Sequence, residues 1–176
     1  MGMRKGFADM TERDIQEKLD QRYPTEHFDV VLKCWKQIYC DAGYNRNLGQ
    51  HTPKQRACIQ CIHDRVAFPK LMTECGSRAE LEWARGQTFI RVMCICEDGR
   101  NKSVVVATAL QAVYLKVGFN SLGPYHMSQA EGWRDICQTC KDCRPNYHKE
   151  ELITLLAHHY REFDATRTAA RANPSQ

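Results

Sequence analysis

Residues 87–118, QTFIRVMCICEDGRNKSVVVATALQAVYLKVG, decide the fold. The stretch Gln87–Cys96 is apolar on both faces apart from Arg91, and this pattern is typical of a buried strand in a parallel sheet. A short polar loop follows, and Ser103–Val117 is predicted to form a helix that ends at Gly118. A buried strand that leads through a glycine-containing loop into a helix is the basic unit of an α/β fold.

The rest of the chain continues this alternation of strands and helices. Hydrophobic periodicity and capping residues predict further helices at Thr11–Asp20, from Thr52-Pro53 to an end at Pro69, at Ser77–Ala84 and at Glu150–Phe163. Further strands are predicted at Phe28–Cys34 and Phe119–Tyr125. We therefore expect an α/β fold with a mainly parallel, Rossmann-like sheet flanked by helices, and a small Cys-rich C-terminal lobe.

The length of 176 residues is that of one domain with small appendages. We expect an N-terminal helical extension (1–25), an α/β phosphate-binding domain (26–127), a Cys-rich helical segment (128–164) and a disordered tail (165–176).

Composition excludes several classes of protein. The mean hydropathy is −0.58, and no apolar run approaches the roughly 20 residues of a membrane helix. The first residues, MGMRKGFADM, lack the apolar core of a secretory signal, so a cytoplasmic location is expected. The ten cysteines are then expected as core residues, metal ligands or reactive thiols rather than disulfides. The net charge of +4 is mild and permits anionic ligands.

The loop after the central strand carries the strongest functional signal. It lies at the carboxyl end of a predicted strand, where open α/β sheets bind ligands, and it enters a helix N-terminus, where backbone N–H groups attract anions. Gly99 permits a positive φ, Lys102 adds a charge, and Ser103 can cap the helix. We predict that a phosphorylated small molecule, either a sugar phosphate or a nucleotide, binds to the residues of this loop: Cys96, Gly99, Arg100, Asn101, Lys102 and Ser103.

The same loop permits an enzymatic alternative. A cysteine, five residues, a cation and a serine form the spacing of a cysteine phosphatase loop, in which the thiolate attacks phosphorus. The cation here is Lys102, which lacks the planar fork of arginine, and the acids Glu97 and Asp98 oppose a thiolate at Cys96. Binding is therefore favoured over catalysis, and a phosphatase, with Asp29 or Asp98 as the general acid, stays as the alternative.

The segment CEDGRNKS followed by VVVATALQAVYLKVGFN resembles the C-terminal domain of the RapZ family, which carries C-x-G-G-[KR]-H-R-S before an apolar helix. Phe28-Asp29-Val30 and Arg46-Asn47-Leu48-Gly49 resemble two upstream pieces of that family in the same order, so the resemblance covers roughly residues 26 to 127. Asn101-Lys102 stands where the family has His-Arg, and the kinase-like domain of the full-length family is absent from these residues.

The resemblance implies an α/β domain that binds an amino-sugar phosphate, glucosamine 6-phosphate. It implies RNA as a further partner, because the full-length bacterial protein binds small RNA. The ligand residues that it implies here are Asp29, Arg46, Cys96, Gly99, Asn101, Lys102 and Ser103.

Three evenly spaced cysteines suggest a metal site. Cys137, Cys140 and Cys143, with His126 or alternatively His148 as the fourth ligand, would complete a tetrahedral zinc centre. The competing interpretation is a helix that carries Cys137 and Cys140 as small core residues. The residues alone leave both open.

Overall fold

The structure, a computed structural model, describes residues 10–34, 67–96, 102–127 and 148–172. Within these ranges the chain forms four helices and two strands. In chain order they are α1 (Glu12–Arg22), β1 (Val30–Lys33), α2 (Ala67–Ala84), β2 (Val92–Ile95), α3 (Lys102–Lys116) and α4 (His148–Ala172). The fold is thus of mixed helix and strand, loosely α/β, in agreement with the coarse prediction.

The two strands form a parallel pair, as the sequence predicts. Val30 lies opposite Val92, and Lys33 lies opposite Ile95. At the amino ends of the strands, the Asp29 carboxylate accepts a hydrogen bond of 2.6 Å from the Arg91 N–H. The Asp29 N–H in turn donates to the Arg91 carbonyl at 3.0 Å, so these two residues join the strands where they begin.

Helices cover both faces of this small sheet. On one face, Ile15 and Leu19 of α1 pack against Met93 and Ile95 of β2. On the other face α2, α3 and α4 enclose the larger part of the core, whose biggest members are Phe68, Leu32, Leu71, Met72, Leu156 and Val30. Burial of both faces explains why β1 and β2 are apolar at nearly every position.

The first helix begins as its sequence predicts. Thr11 is the N-cap, and its hydroxyl accepts from the Asp14 N–H at 3.2 Å while the Asp14 carboxylate accepts from the Thr11 N–H at 2.9 Å. This reciprocal capping box satisfies two of the N–H groups that a helix start leaves without partners. It places Ile15 and Leu19, one turn apart, on the side that faces the sheet.

The third helix ends at Gly118, also as predicted. The Phe119 N–H donates to the Tyr114 carbonyl at 2.9 Å and the Gly118 N–H to the Leu115 carbonyl at 3.2 Å, which is the Schellman pattern. Gly118 has a φ of +101°, a region that side chains other than glycine rarely adopt. The ring of Phe119 packs edge-on against the ring of Tyr114 at the end of the helix.

This ending gives a first prediction. Gly118→Ala is expected to lower the free energy of unfolding by about 1–2 kcal/mol, because alanine is strained at this φ. The space beside Gly118 is open, so the loss of stability would come from backbone strain and not from a steric clash. Gly118→Asn is the matched control, since asparagine tolerates the left-handed region better and should cost less. Urea unfolding of both variants measures the difference, and an equal loss in both would contradict the explanation.

Two helix boundaries differ from the predictions. Pro69, predicted to end a helix, instead lies in the first turn of α2, where a missing N–H costs little. The helix predicted at Ser77–Ala84 is the second half of this longer element. The tail, predicted to be disordered from residue 165, is helical to Ala172 because its alanines and arginines are strong helix formers.

The strands are shorter than predicted. Of the segment Gln87–Cys96, only Val92–Ile95 is strand, because β1 offers four residues to pair with. The strand predicted at Phe119–Tyr125 is wrong: this segment is irregular, and Gly118 and Gly123 both have a positive φ that interrupts an extended chain.

In the part of the chain that the structure describes, no helix has both the length and the apolar character to cross a bilayer.

Candidate functional site

The site begins where β2 ends and α3 starts. Cys96 follows β2 directly, and Lys102 and Ser103 open α3. The Cys96 sulfur and the Ser103 hydroxyl oxygen are 3.2 Å apart, and either atom can be the donor. Both residues are only 3% exposed. The structure therefore brings together the two ends of the loop that the sequence singles out, and holds them by a buried contact.

The buried start of α3 follows from its sequence. After Ser103 come Val104, Val105 and Val106, all buried, because α3 packs between β2 and α4. Its first turn contains no acid, so nothing within that turn opposes an anion there. Lys102 precedes this apolar run and is partly exposed at the helix start.

Such a helix start can bind an anion. Its first N–H groups have no partners within the helix, and the helix dipole places about half a positive charge there. The adjacent ammonium of Lys102 adds a full charge. These features together suit a phosphate oxygen better than a neutral group.

Asp29 lies at the amino ends of the strands, away from Cys96. Its carboxyl side chain is 7% exposed and bonded to the Arg91 N–H, with His27 Nε2 3.5 Å from its other oxygen. Arg91 and Cys96 stand at opposite ends of β2, and five residues of strand span roughly 16 Å. The structure thus separates Asp29 from Cys96, although the family resemblance implies both as ligand residues, and it gives Asp29 a different task in joining the strands.

Several predicted site residues lie outside the described ranges. They are Arg46, Gly99, Arg100 and Asn101 of the phosphate site and Cys137, Cys140 and Cys143 of the zinc site. The acids Glu97 and Asp98 also lie outside them.

The two candidate histidines of the zinc site are placed differently. His126 is half-buried, its Nε2 atom is fully enclosed, and the neighbouring Met127 packs against the cluster beneath α1. His148 is the first residue of α4. Among the residues in 10–34, 67–96, 102–127 and 148–172, no three His, Cys, Asp or Glu side chains are grouped to hold a metal. The zinc site stays a prediction.

The structure also reveals a group of thiols that sequence reasoning missed. Cys34, Cys75, Cys94 and Cys96 all belong to, or pack against, the core between the sheet and α2, α3 and α4. Burial and a hydrogen bond with Cys94 raise the pKa of Cys34. Burial raises the pKa of Cys75 to about 12. These two thiols are therefore unreactive packing groups. The sequence does contain one sign of this group of core thiols: Cys94 and Cys96 are two residues apart, a spacing that puts both side chains on one face of a strand.

Comparison with known proteins gives no assignment: no protein-family model matches the chain, and no curated protein or solved structure shows a significant similarity to it.

Proposed function

We propose that this chain binds a phosphorylated small molecule, a sugar phosphate or a nucleotide, where β2 leads into α3. The observation that carries the proposal is the Cys96–Ser103 contact of 3.2 Å. It joins the first turn of a 15-residue helix to the carboxyl end of a buried parallel strand. Ligands of open α/β sheets bind at this position.

Charge favours an anionic ligand. Lys102 stands at the N-terminal end of α3, where a cation is not needed to balance the helix dipole and even opposes it. The last turn of the same helix carries Lys116, where a lysine does complement the dipole. A phosphate bound at this helix start would interact favourably both with the Lys102 ammonium and with the helix dipole.

The test is equilibrium binding of inorganic phosphate, glucosamine 6-phosphate and a nucleoside monophosphate to the purified chain. Lys102→Ala is expected to weaken the binding of the best of these by about 10- to 150-fold. That range corresponds to the roughly 1.5–3 kcal/mol of a charge-assisted hydrogen bond. Titration calorimetry at fixed ionic strength measures it.

Lys116→Ala is the matched control. It removes one positive charge from the other end of the same helix, where Lys116 pairs with Glu150 at 3.4 Å. If binding depended only on the net charge of the chain, both variants would weaken it alike. A phosphate at the helix start should lose affinity mainly in Lys102→Ala, because Lys116 lies about 21 Å away along the helix, beyond the Debye length. Unchanged affinity in Lys102→Ala, or equal losses in the two variants, would refute the site.

The cysteine phosphatase alternative also involves the contact between Cys96 and Ser103. The Ser103 hydroxyl lies beside the Cys96 sulfur, the atom that such an enzyme would use as its nucleophile. The reaction also needs an acid to protonate the leaving alcohol. Asp29, one of the two candidates from the sequence, is bonded to Arg91 at the far end of the strands. The binding function is therefore the better supported of the two.

We extend the proposal to the architecture and family. A Rossmann-like sheet is supported by the parallel strand pair, by its two covered faces and by the strand-to-helix step from β2 to α3. The RapZ resemblance, with its implied RNA partner, rests on sequence motifs alone. An affinity for RNA that falls steeply as salt rises would support that partner, because bound lysines and arginines displace counterions from the phosphate backbone.

A further inference from the structure

The contact between Cys96 and Ser103 gives a buried hydroxyl its hydrogen-bond partner. Within the described ranges, Ser103 is the only polar residue buried to this degree, and it stands among the valines at the start of α3. A buried hydroxyl without a hydrogen bond costs about 1–3 kcal/mol. The Cys96 sulfur, 3.2 Å away, supplies a partner from the neighbouring strand.

We infer that Cys96 is a positioning residue: its thiol holds the Ser103 hydroxyl and thereby fixes the first turn of α3 against the end of β2. The inference deepens the proposed function, and it rests on that function for its effect on phosphate binding. It assigns Cys96 to the support of the site rather than to attack on a phosphorus atom.

The surroundings of the thiol fit this assignment. The Cys96 residue is 3% exposed and is part of the core cluster that also contains Val105, Val106 and Ala109 of α3. A nucleophile must face its substrate, whereas a positioning residue must be enclosed and bonded to the group that it holds.

The contact also has an entropic consequence. Cys96 and Ser103 flank six residues, and bringing the two ends of a segment together costs conformational entropy. Because the contact already fixes Ser103 at the end of β2, ligand binding does not bear the cost of ordering the first turn of α3. Breaking the contact between Cys96 and Ser103 should therefore weaken phosphate binding even though Cys96 itself does not contact the phosphate.

A double-mutant cycle tests the inference. Cys96→Ala, Ser103→Ala and the double variant are compared with the unaltered chain in urea unfolding and in titration with inorganic phosphate. Each single variant is expected to bind phosphate about 3- to 10-fold more weakly, the range of one net hydrogen bond. The double variant should be little weaker than either single one, because the two changes remove the same interaction. Losses that simply add, in unfolding and in binding, would overturn the inference.

Cys96→Ser separates positioning from catalysis. A serine hydroxyl can keep the hydrogen bond to Ser103, so phosphate affinity should stay within about twofold of the unaltered chain. A nucleophilic cysteine gives the opposite pattern: hydrolysis of p-nitrophenyl phosphate by the unaltered chain that disappears in Cys96→Ser would overturn the assignment.

The control is Thr108→Ala. Its hydroxyl donates to the Val104 carbonyl within α3 at 2.8 Å, so the variant removes a hydroxyl from the same helix without touching the strand contact. Its effect on stability should add to that of Cys96→Ala. A coupling as large as that between Cys96 and Ser103 would mean that any change in α3 gives the same result, and the inference would fail.

The two proposals fail in distinguishable ways. If the unaltered chain binds none of inorganic phosphate, glucosamine 6-phosphate and the nucleoside monophosphate, the proposed function is wrong, and the coupling in urea unfolding alone decides whether the contact positions α3. If phosphate binds but the cycle is additive in both measurements, the site stands and the role given to Cys96 is wrong.

Discussion

Phe68→Ala is expected to lower the free energy of unfolding by about 3–5 kcal/mol, the range for removing a fully buried aromatic side chain. Phe68 is completely buried and is among the largest side chains in the core. It stands at the start of α2, which packs against β1. Its loss leaves a cavity between the helix and the strand pair, and the surrounding side chains relax into such a cavity only in part. Urea unfolding followed by far-UV circular dichroism measures the change.

Phe89→Ala is the matched control. Phe89 precedes β2 and is 51% exposed, so its removal takes little apolar surface out of the core. We expect a loss below about 1 kcal/mol, since substitutions at exposed positions are usually close to neutral. If both variants lost the same stability, the core would not be centred where α2 meets β1. If Phe68→Ala failed to fold, Phe68→Leu, which keeps most of the volume, should restore folding at a smaller cost.

Local signals in the sequence were enough for α1 and α3. Each helix has a short-range signal at one end, the capping box at Thr11 and the glycine at Gly118. Such signals involve residues three to five positions apart, so they can be read without knowing the fold. The parallel pairing of β1 and β2 was predictable as well, because both strands are apolar on both faces.

The extent of β2 depends on its partner and not on its own sequence. Gln87–Ile90 has the composition of a strand, but β1 pairs with only four residues. Phe89 is consequently half exposed, with the Arg91 guanidinium 5.8 Å from its ring centre. A pattern that is local cannot report how long the neighbouring strand will be.

The placement of Asp29 shows that sequence motifs do not give the position of a residue in the fold. A motif gives the order of residues along the chain, and Asp29 and Cys96 were grouped because two motifs occurred in the expected order. The parallel register puts Asp29 beside Arg91, where both strands begin, and Cys96 at the end of β2. In a parallel pair, a residue before one strand and a residue after the other necessarily lie at opposite edges. The Cys96–Ser103 contact, by contrast, follows from the strand–loop–helix order that the sequence does contain.

Cys75→Ala is expected to make stability less sensitive to alkaline pH. Burial raises the pKa of the Cys75 thiol from an ordinary value of 9.0 to about 12 in the folded chain. Below pH 9 the thiol is protonated in both the folded and the unfolded state, so its contribution to stability is fully present. Between pH 9 and pH 12 the unfolded chain loses this proton while the folded chain keeps it. The free energy of unfolding therefore falls by up to about 1.4 kcal/mol per pH unit, or about 4 kcal/mol over the whole interval.

Other buried groups share in this alkaline loss. Burial and the neighbouring Cys75 raise the pKa of Tyr114, whose hydroxyl donates to the Met72 carbonyl at 3.2 Å. Burial likewise raises the pKa of Cys34. Both groups stay in the Cys75→Ala variant, but part of the Tyr114 shift is caused by Cys75 and is lost with it. The unaltered chain and the variant should therefore differ by the Cys75 share of the slope together with this part of the Tyr114 share, and both make the variant less sensitive to alkaline pH. Urea unfolding at several pH values from 8.5 to about 11 gives that difference.

Cys75→Val distinguishes the lost proton from the lost volume. Alanine leaves a small cavity beside Tyr114 that lowers stability at every pH, whereas valine fills nearly the same space as cysteine. The two variants should therefore differ from each other by a constant amount. Both should show the same shallower fall above pH 9, because neither carries an ionisable group at position 75. Curves that run parallel to that of the unaltered chain would mean that the thiol ionises as readily in the folded state as in the unfolded one. The core around Cys75 would then have to admit water, contrary to its exposure of only 1%.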